Sequence, residues 1–263
     1  MDLDKIRKGL IDLEDKIIEL ICRRYDYKKN LFIYECNSKE LKKRYEKNEI
    51  KGINLESYNF KKSYLDNKLK DIEETNPIEL KYNYLDNRPY YNNKKYLEEL
   101  EKDEELNSED EYCFFRRHNK IRKYSKKINI NLSIKKAYIN FINELCEEGE
   151  DKDVDNPFIY DVINLQTISR RIHYGVYVME AKYINDKSEY DRLLLENNES
   201  LILSKLKNKK IEEEMLERIE EKLLKRGLKK KKIEQIINFF INIISKTIEV
   251  ELAYINLKKE LIE

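Results

Sequence analysis

Leu3, Ile6, Leu10, Leu13, Ile17 and Ile21 recur at steps of three and four, which lays them along one stripe of an amphipathic helix. The spacing predicts a helix from about residue 3 to Tyr34, with Asp2 or Asp4 placed to cap it. From Cys36 to Asp110 the pattern loosens into short helices over 39–48, 60–74 and 94–106, with Pro77 and Pro89 breaking the chain. A further helix is expected over Ile134 to Cys146, and the acidic run EEGEDKDVD (147–155) reads as a solvated connection. Pro157 suits the first turn of a helix that continues to about Ile184. Shorter helices follow over 187–196 and 199–207, then one over 209–226 that Gly227 stops from the position just past its cap. A last helix runs from about Lys230 to Leu261. No fixed-period repeat and no long linker interrupts this succession. The expectation is an all-α, single-domain helical bundle over residues 1–263, diverging most in its middle, about 36–150.

Composition narrows the class. Five glycines and three prolines among 263 residues are far below the roughly 12% of average usage, which disfavours turn-rich β folds and glycine-cornered α/β folds. Charged residues make up 40% of the chain, yet 53 basic and 52 acidic side chains nearly cancel to a net charge of +1. There is no global field to attract nucleic acid or an anionic membrane, so neither is expected as a partner, and any anion site must be a local constellation. Cys22, Cys36, Cys113 and Cys146 show no CxxC spacing, and with only His118 and His173 beside them neither a structural metal nor a cofactor is expected. Nothing reaches the ~18 apolar residues of a membrane span, and the first ten residues read as a helix rather than a targeting leader. A cytoplasmic protein with reduced thiols is the expectation.

Facing helices can build a site where polar residues interrupt an apolar inward face. Arg171, Gly175, Val178 and Lys182 fall at steps of four, three and four, hence on one face. The eleven residues from Arg171 to Lys182 span about 16 Å, so two long cations leaning toward each other there would bracket a small dianion. Gly175 between them removes a Cβ and would let a ligand ring approach the backbone. The competing reading is a surface stripe with accidental cations. On the last helix Thr247 and Glu251, at i and i+4, sit among Ile244, Ile248 and Leu252, an odd neighbourhood for a carboxylate. Asn208 and Glu212 repeat the spacing, and Arg7 and Glu14 lie two turns apart on the first helix. The basic tract KRGLKKKK (225–232) lacks the aromatic interleaving of a nucleic-acid contact and reads as a solvated corner. His173 faces away from Arg171 and reads as structural. No nucleophile elbow, phosphate loop or zinc signature is present.

LDKIRKGLIDLEDKIIELICRR (3–24) resembles the opening helix of the eukaryotic, fungal- and plant-type AroQ-class chorismate mutases. INLQTISRRIHYGVYVMEAKY (163–183) resembles that family's arginine- and lysine-bearing helix still more. IEEEMLERI (211–219) and TIEVE (247–251) are similar to two further family strings in the same order, while FKKSYLDNKL (60–69) and IKKAYINFI (134–142) anchor the thin middle. The resemblance implies an all-helical fold and the isomerisation of chorismate to prephenate, a step toward phenylalanine and tyrosine, without cofactor or covalent intermediate. By resemblance, Arg7 and Arg171 hold the substrate carboxylates, Lys182 donates to the ether oxygen, and Glu251 serves that oxygen's other side with Thr247 beside it. Asn208 and Glu212 match the pair that binds the ring hydroxyl and adjoining carboxylate, and Glu14 an acid that orients an arginine.

The sequence departs from the family where relatives bind aromatic amino acids. Their Gly-Ser turn is Asp155-Asn156 here, and a gapless register from Phe60 puts Leu80 and Lys81 at their arginine pair. Tyrosine and tryptophan control is therefore expected to be weak or absent, whereas a homodimer is implied by the resemblance. The alternative is a non-catalytic helical interaction protein or a mutase that has lost activity. None of Arg7, Arg171, Lys182 and Glu251 is substituted, which argues against it.

Overall fold

A computed structural model describes residues 3–36, 38–47, 50, 58–59, 61–75, 128–152 and 154–259. The expected helix over 94–106, Leu80, Lys81, Pro77, Pro89, Cys113 and His118 lie outside them. The elements are α1 (Leu3–Tyr25), a 3₁₀ turn (Leu31–Ile33), α2 (Ser38–Glu46), α3 (Tyr64–Thr75), α4 (Asn131–Leu145), α5 (Asp155–His173), α6 (Gly175–Asn185), α7 (Lys187–Leu195), α8 (Glu199–Leu206), α9 (Lys209–Lys225) and α10 (Lys230–Lys259). The fold is all-α, and no strand occurs among the described residues. Among the described residues, contacts cluster into two compact units: residues 3–18, 128–130 and 167–259 belong to one, and those of 19–75 and 131–166 to the other.

The first unit is organised by α10, against which α6, α9, α8 and α7 all pack. Ile233, Ile236, Phe240, Ile243, Thr247, Val250 and Tyr254 are buried at alternating steps of three and four, so the helix meets its neighbours along one stripe. Thr247 and Glu251 belong to that stripe. The helix expected over 157–184 is two helices. At Tyr174 (φ −58°, ψ −17°) the chain tightens to a 3₁₀ turn, with Tyr177 N–H donating to Tyr174 O at 2.9 Å. α5 begins at Asp155, two residues before Pro157, whose missing N–H costs nothing in the first turn. α9 ends as expected. Gly227 sits at φ +75° while the amides of Gly227 and Leu228 donate back to Leu224 O and Leu223 O, a Schellman closure. His173 is fully buried: Ile130 N–H donates to its Nε2 at 3.2 Å, which leaves Nδ1–H to donate to Ser169 O at 2.8 Å. That neutral ring is a structural tie.

The second unit corrects two expectations. α1 stops at Tyr25, not Tyr34, because Arg24 turns its guanidinium onto the carbonyls of Lys28 and Lys29, at 2.9 Å each, and Asn30 takes the left-handed conformation at φ 55°. Apolar Phe32 and Ile33 keep the helical period alive in sequence although the chain has already turned. The acidic run after α4 is docked rather than freely solvated. Lys29 and Asn30 amides donate to Glu147 O and Gly149 O at 2.9 and 3.0 Å, and Asp151 exchanges bonds of 2.8 and 2.7 Å with the Asn30 side chain. Beneath this loop Arg24 and Asp161, both fully buried, pair at 2.8 Å, and Asp161 also accepts from Tyr34 and Tyr138. Burial works against the Arg24 charge, but Asp161 and the surrounding hydroxyls outweigh it and hold its pKa above the ordinary arginine value.

Candidate active site

Within the first unit lies a cavity of about 150 Å³, lined by α1, α5, α6, α9, α10 and the end of α8. Leu3, Leu10, Ile211, Ile244 and Ile248 supply much of its apolar wall, and Arg7, Arg171, Lys182, Asn208, Glu212, Thr247 and Glu251 supply polar groups. A small pocket with a mostly apolar wall and a few fixed polar groups is the common form of a small-molecule site.

Arg171, near the end of α5 and 5% exposed, is held on three sides. Nη1 donates to Thr247 Oγ1 at 3.1 Å, and Nη2 donates to Glu14 Oε1 at 3.1 Å and to Met215 Sδ at 3.6 Å. Thr247 hands its own hydrogen to Ile243 O at 2.9 Å, which turns a lone pair to the arginine. Arg171 Nε is buried with no hydrogen-bond partner. A buried, unanswered donor on a fixed cation is hydrogen-bonding capacity that the fold leaves unspent. Glu14, 4% exposed, also accepts from Arg218 at 3.3 Å, so it is doubly compensated from the side away from the cavity.

Lys182, two turns along α6, donates to Glu251 Oε2 at 2.7 Å and to Leu206 O at 2.9 Å. That carbonyl is among the last of α8 and has no acceptor role left within its helix. Two of the three ammonium hydrogens are thus taken and the third remains for a ligand. Glu251 is 4% exposed. Burial pushes its carboxyl above the usual glutamate range, Lys182 and Arg171 pull it down without cancelling that, and Glu212 adds to the rise.

The remaining expected residues are placed differently. Arg7 reaches the cavity only at its mouth: its side chain is 46% exposed and bonds Asp4 at 3.1 Å, a carboxylate one turn earlier on the same helix. Asn208 is the N-cap of α9, accepting from Ile211 N–H at 3.2 Å, while Glu212 accepts from Asn208 N–H at 3.0 Å. Both side chains border the cavity from that helix start. Val178 lines the wall. Gly175 does not: a Cβ there would stand 2.8 Å from Thr247 O and 3.3 Å from Glu251 Cγ. Its bare backbone is spent on the approach of α10, not on a ligand ring. Of the positions where relatives differ, Asp155 and Asn156 form the first turn of α5 rather than a loop. Sequence reading missed Met215, Arg218 and the Leu206 carbonyl. The first two have no local pattern to distinguish them, and the third is a main-chain atom that any residue supplies.

The fold and this cavity define a class, an all-helical protein that gathers cations and a buried carboxyl around one small cavity. No family model matches the chain. A chorismate mutase of Saccharomyces cerevisiae is 28% identical over 228 residues, covering 84% of this chain and 78% of its own length. Another, of Schizosaccharomyces pombe, is 27% identical over 229 residues, covering 86% and 80%. Among solved structures, a chorismate mutase from Candida albicans in complex with L-tryptophan superposes with a TM-score of 0.75 at 25% identity, over 98% of this chain and 92% of that one. The chain is a relative of the fungal and plant chorismate mutases, the eukaryotic AroQ type.

Proposed function

We propose that this chain is a chorismate mutase, converting chorismate to prephenate through the cavity on α1, α5, α6, α9 and α10. The observation that carries the reading is the set Arg171, Lys182 and Glu251, three ionisable groups fixed in one small pocket and matching the family motifs in order. The reaction breaks a C–O ether bond and forms a C–C bond within one dianion. It needs the substrate folded into a compact conformer and the charge growing on the ether oxygen stabilised, which is orientation plus preorganised electrostatics.

In this reading Arg171, offering Nε–H, and Arg7, swinging from Asp4, take the two carboxylates. Lys182 turns its third hydrogen to the ether oxygen, and Glu251, whose carboxyl burial pushes toward the protonated form, donates from the other side in that form. Thr247 keeps Arg171 in place. Asn208 and Glu212 meet the ring hydroxyl from the start of α9, and Glu14 secures Arg171 from behind. A million-fold acceleration asks for about 8 kcal/mol, within reach of a few buried charge-assisted bonds. The reading extends to a cytoplasmic homodimer with little response to tyrosine or tryptophan. Among the described residues, no disulfide joins Cys22, Cys36 and Cys146. Among the described residues, no helix is long and apolar enough to cross a membrane.

The test is the loss of chorismate absorbance with purified protein, with and without tyrosine and tryptophan, alongside sedimentation of the same sample. Turnover abolished by Arg171→Ala supports the assignment. A protein that leaves chorismate untouched at micromolar enzyme refutes it.

A further inference from the structure

We propose that Met215 is an oxidation site that governs this cavity: hydrogen peroxide converts its thioether to a sulfoxide whose oxygen ties up Arg171. The inference rests on the functional reading above and adds to it a covalent control of the same pocket. Met215 stands on α9, 5% exposed, lining the cavity with its sulfur 3.6 Å from Arg171 Nη2. The only other internal methionine, Met179 on α6, is fully buried and does not line the cavity. One thioether therefore faces the space a small solute enters, and the other does not.

The chemistry is complete with the oxidant alone. A sulfur lone pair attacks one peroxide oxygen, the O–O bond breaks, an S–O bond forms, and the hydroxide released takes the remaining proton to leave as water. Sulfur loses two electrons and the peroxide gains them. A thioether is a weak acceptor, whereas a sulfoxide oxygen is a strong, compact one. At the Arg171 contact distance the added oxygen has no room between the two groups, and on the cavity side of Met215 it stands beside the guanidinium. There it competes with a substrate carboxylate for the hydrogens that Thr247 and Glu14 leave over. Bound substrate, by filling that space, shields the sulfur.

The experiment treats the full chain with hydrogen peroxide, quenches it, and restores cysteines with excess thiol, which leaves methionine sulfoxide intact. Peptide mass spectrometry follows oxygen addition at Met215 and Met179, and kcat/KM is compared with each preparation's own untreated value. Expected are faster oxidation at Met215 than at Met179, slowing of that oxidation by saturating prephenate, a fall of about tenfold in kcat/KM, and recovery on treatment with methionine sulfoxide reductase. Met215→Leu, which keeps volume and removes the sulfur, should retain its own activity through the treatment. Equal oxidation of the two methionines overturns the proposal. So does complete conversion of Met215 without loss of activity, or an equal loss in Met215→Leu. Absence of any mutase activity before treatment overturns the functional reading instead, and the mapping with and without prephenate still decides whether Met215 is the exposed site.

Discussion

A carboxyl buried beside two cations would ordinarily be read as their counter-ion, yet Glu251 keeps a raised pKa because burial outweighs what Lys182 and Arg171 return. The sign then fixes its behaviour. The protonated acid is the donor, so turnover is high below the raised pKa and falls as pH climbs through it. The same group's contribution to stability is complete below the glutamate value of the unfolded chain and is lost as pH rises through the folded one. Glu251→Gln keeps a donor but cannot titrate, and its kcat/KM against pH should be flat across that limb. An unchanged profile would remove Glu251 from the mechanism. Arg171→Ala strips Glu14 of its best-placed partner and the pocket of its fixed cation. A loss of ~3–5 kcal/mol in transition-state stabilisation is expected, read from kcat/KM. A loss under about tenfold would mean that Arg171 holds the fold rather than the substrate.

At the scale of elements, two glycines of the first unit separate two physical roles. Gly175 is where α6 meets α10, and an added methyl would fall 2.8 Å from a main-chain oxygen that no side-chain motion can move. Gly175→Ala should therefore lower stability by ~1–3 kcal/mol by overpacking. It should also lower activity, since the displaced atoms belong to Thr247 and Glu251. Gly227 has open space around its Cβ position but φ +75°. Gly227→Ala costs only the strain of a left-handed residue, ~1–2 kcal/mol, and kcat/KM should stay at the parent value. Thermal unfolding and steady-state kinetics of the two variants check this. Equal effects on activity would show that the α6–α10 contact does not set the site. The period of apolar residues reported these helices well because burial on a helix repeats at its own pitch. It overran the end of α1, where Phe32 and Ile33 stay apolar after the chain has turned, and it ran through Tyr174, where the backbone tightens without any change in pattern.

For the molecule as a whole, the Arg24–Asp161 pair joins residues distant in the chain in a fully buried contact outside the cavity. Asp161→Asn leaves a buried guanidinium without its anion and should reduce stability to urea by ~3–5 kcal/mol. The double change Arg24→Met with Asp161→Leu should recover much of that loss, because two apolar groups ask for no partner. Failure of the double variant to recover would show that the hydrogen bonds to the Lys28 and Lys29 carbonyls and from the Tyr34 and Tyr138 hydroxyls, rather than the charge pair, carry the effect. Neither partner could be chosen from sequence, since 137 residues separate them and the chain holds 53 basic and 52 acidic side chains that all look alike. The sequence by itself determined the helical class, the order of the described helices apart from the break at Tyr174, and the helix faces on which Arg171, Val178, Lys182, Thr247 and Glu251 lie. These follow from the helical period and from scarce glycine and proline, which are local properties. Tertiary structure alone decided that Gly175 serves packing, that Arg7 stands at the mouth of the cavity, and that Met215 and the Leu206 carbonyl complete the pocket. Those are contacts between helices far apart in the chain, set by which side chains and main-chain ends fill the same space.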